Sequence, residues 1–136
     1  MSEDYIKSYV KLSIKDIISL KKETLGSRVI LLVDGRKIVK VRAIGTVSRV
    51  YEYKNRVELV IEDESGELVV KVWSDKLSMV EGIDKGQTIE VFGSLRTYKG
   101  VIYLNPDKMI RVTPEHLKLR ALESKLIKLT LLKQYE

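Results

Sequence analysis

Two stretches of this chain set a cation and an aromatic ring at alternate positions. Residues 68–73 read L-V-V-K-V-W and residues 91–100 read V-F-G-S-L-R-T-Y-K-G. In a strand successive side chains point to opposite faces. Leu68, Val70 and Val72 then share one face and Lys71 and Trp73 the other; likewise Ile89, Val91 and Leu95 oppose Arg96 and Tyr98. An aromatic face beside a cation, held on a sheet away from the core, can stack a nucleobase and meet its phosphate. Lys71 and Arg96 are the flanking cations, and Lys99 and Arg42 are further phosphate candidates. Tyr103, across the hairpin, belongs either to the platform or to the rim of the core. The bland alternatives are a core tryptophan, since this residue is highly buried on average, and a solvated basic sheet face. Lys40, Arg49, Arg56 and Lys108 are weaker candidates, because exposed strands carry such residues anyway. Glu58 and Glu90 share the outward parity and would weaken a purely electrostatic groove, so modest affinity is expected.

No other chemistry is spelled out. His116 is the only histidine, cysteine is absent, and Asp16, Asp63 and Glu64 have no partner constellation. Without a nucleophile–base pair, a ligand cluster or a Gly-rich phosphate loop, neither an enzyme, a metal site nor a cofactor is expected.

The elements that must position these side chains follow from periodicity and turn chemistry. Ser13 and Asp16 open a short amphipathic helix predicted over residues 13–22, with Ile14, Ile17 and Ile18 at helical spacing. It would close one end of a core, after a lead-in over residues 5–10. Residues 28–33 are a strand candidate, Asp34-Gly35 signals a hairpin, and residues 38–50 continue as one long strand interrupted by Gly45, which suggests a bend in a closing barrel. Val57, Leu59 and Ile61 mark the next strand, and residues 74–83 a short helix or loop capped by Ser74 or Asp75. A hairpin over residues 91–104 turns at Lys99-Gly100 and ends at Asn105-Pro106; residues 109–112 are a separate short extended piece. From Pro114 to the end the pattern is helical: Leu119, Leu122, Leu126, Leu129 and Leu132 form a stripe that Ile127 and Leu131 widen.

At 136 residues the chain suits one domain with a real core. With 44% hydrophobic and 32% charged residues it should be globular. A net charge of +6 favours a polyanionic partner without identifying one. The opening M-S-E-D-Y-I-K-S lacks the order of a signal peptide and no apolar run is long enough for a membrane span. A cytoplasmic, nucleoid-associated setting is therefore expected.

Five strands, a helix between the third and fourth, a glycine bend in the first and flanking helices fit an OB-fold, a five-stranded Greek-key barrel that makes an all-β core. The sequence also resembles the middle subunit of replication protein A and its archaeal and telomere-complex relatives. The matching pieces are L-S-I-K-D-I-I-S-L (12–20), V-K-V-R-A-I-G-T-V-S-R (39–49), E-L-V-V-K-V-W (67–73), V-F-G-S-L-R-T-Y-K-G (91–100) and the C-terminal helix. The resemblance implies that Trp73 and Tyr98 stack on DNA bases, Tyr98 standing where family members typically carry phenylalanine. It implies that the C-terminal helix bundles with large and small subunits in a complex serving DNA replication, repair and recombination. The Ser-rich N-terminal tail and the winged-helix domain of that family have no counterpart, so the pattern is similar to the reduced archaeal form. The division expected is an OB domain over residues 1–113 and an oligomerisation helix over residues 114–136, binding copies of itself or other subunits. Two competing readings remain: an assembly scaffold with little nucleic-acid binding, and a transfer-RNA-binding OB module. DNA over RNA rests on the resemblance alone.

Overall fold

The computed structural model describes residues 5–133; the side chains at 124, 128 and 130–133 lie outside the description, including that of the expected interface residue Leu132. Ten strands are present: β1 (Tyr5–Ile6), β2 (Val10–Lys11), β3 (Lys21–Leu25), β4 (Arg28–Val33), β5 (Arg36–Ile38), β6 (Val41–Glu52), β7 (Arg56–Asp63), β8 (Gly66–Trp73), β9 (Thr88–Tyr98) and β10 (Val101–Arg111). The helices are α1 (Ile14–Ser19), a 3₁₀ segment (Ser74–Val80) and α2 (Pro114–Lys133). Strands β6, β7, β8, β10 and β9 follow one another around a closed path, because β9 pairs back onto β6. All these pairings are antiparallel except β8 with β10, which run parallel with Tyr103 opposite Val69. This is the expected five-stranded OB barrel.

The barrel interior holds the alternating residues of every strand, among them Val47, Leu59, Ile61, Val70, Ile89 and Leu104, all essentially inaccessible to water. Helix α1 plugs one end with Ile14 and Ile17, beside Leu12. Its start is pinned twice. Ser13 Oγ accepts from the Asp16 amide at 3.2 Å, while the Ile14 amide donates to Asp63 Oδ2 at 3.0 Å.

Four expectations need correction. First, the helix predicted over residues 13–22 stops at Ser19, and β3 takes residues 21–25 to pair with β4. Continuing the helix would have buried little, whereas pairing satisfies the backbone edge of the apolar β4. Second, the lead-in forms β1 and β2, parallel to β5 and β6. Third, the long strand predicted over residues 38–50 is broken at Val39-Lys40, where the chain passes from the β4–β5 hairpin into the barrel. Fourth, β10 runs straight through Asn105-Pro106 to Arg111. A register shift between Pro106 and Lys108 absorbs the proline, which has no N–H to give a ladder.

Both hairpin turns are as the sequence predicts, with Asp34-Gly35 and Lys99-Gly100 at positive φ. Gly93 makes the tightest approach in the barrel. A Cβ there would sit 2.2 Å from the Asn105 carbonyl oxygen, so only glycine lets β9 and β10 close at the bulge.

Candidate nucleic-acid interface

The register of the barrel sheet brings the predicted side chains to one outer face. Lys71 and Trp73 leave β8 on the side opposite the buried Leu68, Val70 and Val72. Arg96 lies directly across from Tyr103, and Tyr98 across from Val101; residues opposite each other in an antiparallel pair share a face. The result is a groove of about 300 Å³ lined by Asn55, Arg56, Lys71, Trp73, Tyr98 and Tyr103.

The groove's aromatics are graded in exposure. Tyr98 is 60% exposed and Trp73 37%, both with ring surface to offer, whereas Tyr103 is only 9% exposed and forms the floor. Lys71 Nζ stands 4.3 Å from the Tyr103 ring centre and 5.5 Å from that of Tyr98, joining floor to wall. Lys99 Nζ lies 5.4 Å from the Tyr98 ring at the hairpin tip. Arg96 stands beside this group on β9, half-buried, with its partner Tyr103 across the strand pair.

The opposite wall comes from the β6–β7 turn. The Arg56 guanidinium sits 4.2 Å from the Tyr53 ring and 5.6 Å from Trp73, and Tyr53 is itself exposed. Tyr53 and Asn55 escaped the sequence reading, and Arg56 ranked low in it. Their signal was the run Y-E-Y-K-N-R over residues 51–56, an aromatic and basic turn that only the barrel register sets opposite Trp73. Glu58 is neutralised by Arg56 Nε at 2.6 Å, so its carboxylate opposes bound phosphate less than its parity suggested.

Arg42 lies elsewhere. It pairs with Phe92 across β6 and β9, stacks on that ring at 4.6 Å, and its Nε donates to Glu90 Oε2 at 3.0 Å. Arg120 from α2 meets the same carboxylate oxygen at 2.6 Å, and both partners are nearly inaccessible. Burial works against ionisation of Glu90, but hydrogen bonds from Arg42 and Arg120 outweigh it and hold the carboxyl below its ordinary range. Glu90 does face outward from the barrel, as its parity predicts; α2 covers it.

Helix α2 therefore docks through a polar seam. Besides Arg120, Glu123 takes an ion pair from Lys11 at 3.0 Å, and Ile127 packs against the core. Ile127 thus lies off the leucine stripe it was expected to widen. Leu119, Leu122, Leu126 and Leu129 are each more than half exposed on another face of the helix.

Comparison with known proteins agrees with this architecture. Residues 41–112 match the family model of the OB-fold nucleic acid binding domain. A replication protein A heterotrimer bound to single-stranded DNA contains a chain that superposes with a TM-score of 0.78 at 18% identity, covering 92% of this chain and 98% of that one. The S. pombe Stn1–Ten1 complex gives 0.81 at 19% identity over 95% of this chain and 97% of that one. At such identities the likeness is one of fold. A protein of Thermofilum pendens, described as an uncharacterized 18.7 kDa protein in a ribosomal RNA operon, is 31% identical over 70 residues, which is 49% of this chain and 41% of that protein. The match thus spans about two fifths of that relative's length. With the family match running from the first strand of the barrel to just past the last, this chain belongs to the OB-fold nucleic acid binding domain family.

Proposed function

We propose that this chain is a single-stranded DNA-binding subunit of a replication protein A-like complex. The observation that carries the reading is one groove lined by exposed Trp73 and Tyr98, with Lys71 over the Tyr98 and Tyr103 rings and Arg56 beside Trp73. Bases stack on the two rings, and Lys71, Arg96 and Lys99 neutralise the adjoining phosphates. Stacking and phosphate neutralisation are largely indifferent to base identity, so little sequence preference and strong salt dependence follow. The complexes of similar fold, one bound to single-stranded DNA and one an Stn1–Ten1 assembly, support this class of ligand and partner.

The exposed leucine face of α2 is the assembly surface in this reading. It takes an amphipathic helix from a large subunit, with a small subunit or a second copy of this chain completing a bundle. The protein then works at replication, repair and recombination on the chromosome, in the cytoplasmic, nucleoid-associated setting expected from its sequence. It acts by binding, not by turnover.

The test is equilibrium binding of a thymidine oligonucleotide to Trp73→Ala and Tyr98→Ala variants. Each should lose about 1–3 kcal/mol, the worth of one stacked base, with unchanged melting of the free protein. Wild-type affinity in both variants, or preference for a transfer RNA over the oligonucleotide, would overturn the reading; the first result would leave an assembly scaffold.

A further inference from the structure

Strand β9 changes partners along its length. Between Thr88 and Gly93 it pairs with β6, and at Leu95 and Arg96 it pairs with β4 of the N-terminal hairpin. Ser94 falls in the fork between the two. The notch there is a recess of about 110 Å³ whose lining includes Arg28, Lys40, Ser94 and Arg96, and no carboxylate.

Arg28 and Arg96 stand directly opposite each other across β4 and β9. Facing residues of an antiparallel pair have Cβ atoms about 4.5–5.5 Å apart, and like charges placed so destabilise the sheet. Three other outward-facing arginines of the barrel are answered by acids, Arg42 by Glu90, Arg49 by Glu67 and Arg56 by Glu58, while Arg111 donates to the Gly82 carbonyl. Among the described residues neither Arg28 nor Arg96 takes part in an ion pair. Two arginines, with ten N–H donors between their guanidiniums, thus share the lining of a small recess with a hydroxyl in its wall.

We infer that Arg28 and Arg96 form a paired-guanidinium site for one phosphodiester of the strand whose bases stack in the adjoining groove. The inference rests on the proposed stacking function. Arg96 is cross-strand from Tyr103, the groove floor, so a phosphate held there is next in line to a base on Tyr98. The two oxygens of one phosphodiester offer acceptors to both forks, and the anion relieves the repulsion between them. The N-terminal hairpin, which lies outside the barrel, then has a binding role: it supplies the second arginine.

The experiment uses the full chain and a fluorescein-labelled thymidine oligonucleotide, with affinity measured by anisotropy across a salt series. Arg28→Ala should bind roughly tenfold more weakly at low salt, as expected for loss of a charged hydrogen-bond partner. Its log–log salt slope should be shallower by about 0.7, one phosphate's share for a single strand. A neutral methylphosphonate linkage walked along the oligonucleotide should weaken the wild type at one position where Arg28→Ala is indifferent. Free of DNA, Arg28→Ala should melt no lower than wild type, because a repulsion has been removed. Wild-type affinity and slope in Arg28→Ala, alongside weakened Trp73→Ala, would overturn the phosphate site and leave stacking intact. A lower melting temperature would make Arg28 structural and also overturn it. No binding by the wild type at all would instead sink the stacking function on which the site depends.

Discussion

Trp73 and Lys71 illustrate what residue-level reading captures. Their outward placement follows from period-2 alternation against Leu68, Val70 and Val72, and the strand keeps that period without a bulge. Arg42 illustrates the opposite. Its parity was legible, but its fate depends on Glu90 and on Arg120 from a helix far along the chain, so strand periodicity alone carried no sign of the cover. This buried cluster has a pH signature. The Glu90 carboxyl titrates below its ordinary range when folded, so its contribution is fully present above about pH 4.5, near the unfolded value, and is lost as pH falls through the lower folded value. Glu90→Gln should accordingly flatten the acid limb of stability measured by denaturant titration between neutral pH and pH 3. Glu90→Ala, which strands the buried Arg120 guanidinium and unpairs the half-buried Arg42, should cost about 3 kcal/mol at neutral pH. On the same flank the Tyr9 hydroxyl donates to Asp107 at 2.6 Å, and that bond, with burial and the nearby charge, pushes the Tyr9 hydroxyl up to about 12. Tyr9 should stay un-ionised in an ultraviolet titration through pH 11, after exposed tyrosines have begun to ionise.

Elements were legible where their signals were local. Both two-residue turns and the cap at Ser13 could be read because each depends on a few neighbouring residues, whereas the irregularity expected at Gly45 falls between Val47 and Arg49. Residues 21–25 were not, since their helical or extended choice is decided by a partner strand and not by their own pattern. The proline in β10 misled for a related reason: a proline ends most strands, yet here a bulge opposite Gly93 accommodates it. Gly93→Ala should therefore cost about 3 kcal/mol or more, read as a lower denaturation midpoint, because a Cβ would collide with the Asn105 carbonyl backbone. Helix α2 carries a different prediction. Leu122→Ser and Leu129→Ser, both on its exposed face, should lower the sedimentation mass of any assembly while leaving barrel melting unchanged. A loss of barrel stability instead would mean that this face serves the fold.

At the scale of the whole molecule, the closed barrel was readable from strand count and turn spacing, and the family match spans it. Less readable was how the pieces outside the barrel are used. The N-terminal hairpin extends the sheet beside β9, and α2 seals Glu90 and reserves its leucines for the surface. Both arrangements come from long-range pairing, which a single chain's periodicity does not encode. The net charge of +6 is spread over this surface, with acids interleaved among the bases. Binding should therefore depend on the few cations at the groove and fall steeply with salt, with a log–log slope near −0.7 for each phosphate neutralised.

Trp73 is the only tryptophan, which lets the central claim be read at its own atom. The purified chain is titrated with a thymidine oligonucleotide at low and moderate salt while Trp73 fluorescence is followed, with duplex DNA as the control. Saturable quenching by the single strand, weakened by salt and absent with duplex, is the predicted result. A flat fluorescence signal at low salt, while the same oligonucleotide is shown by anisotropy to be bound, would contradict the placement of bases on Trp73.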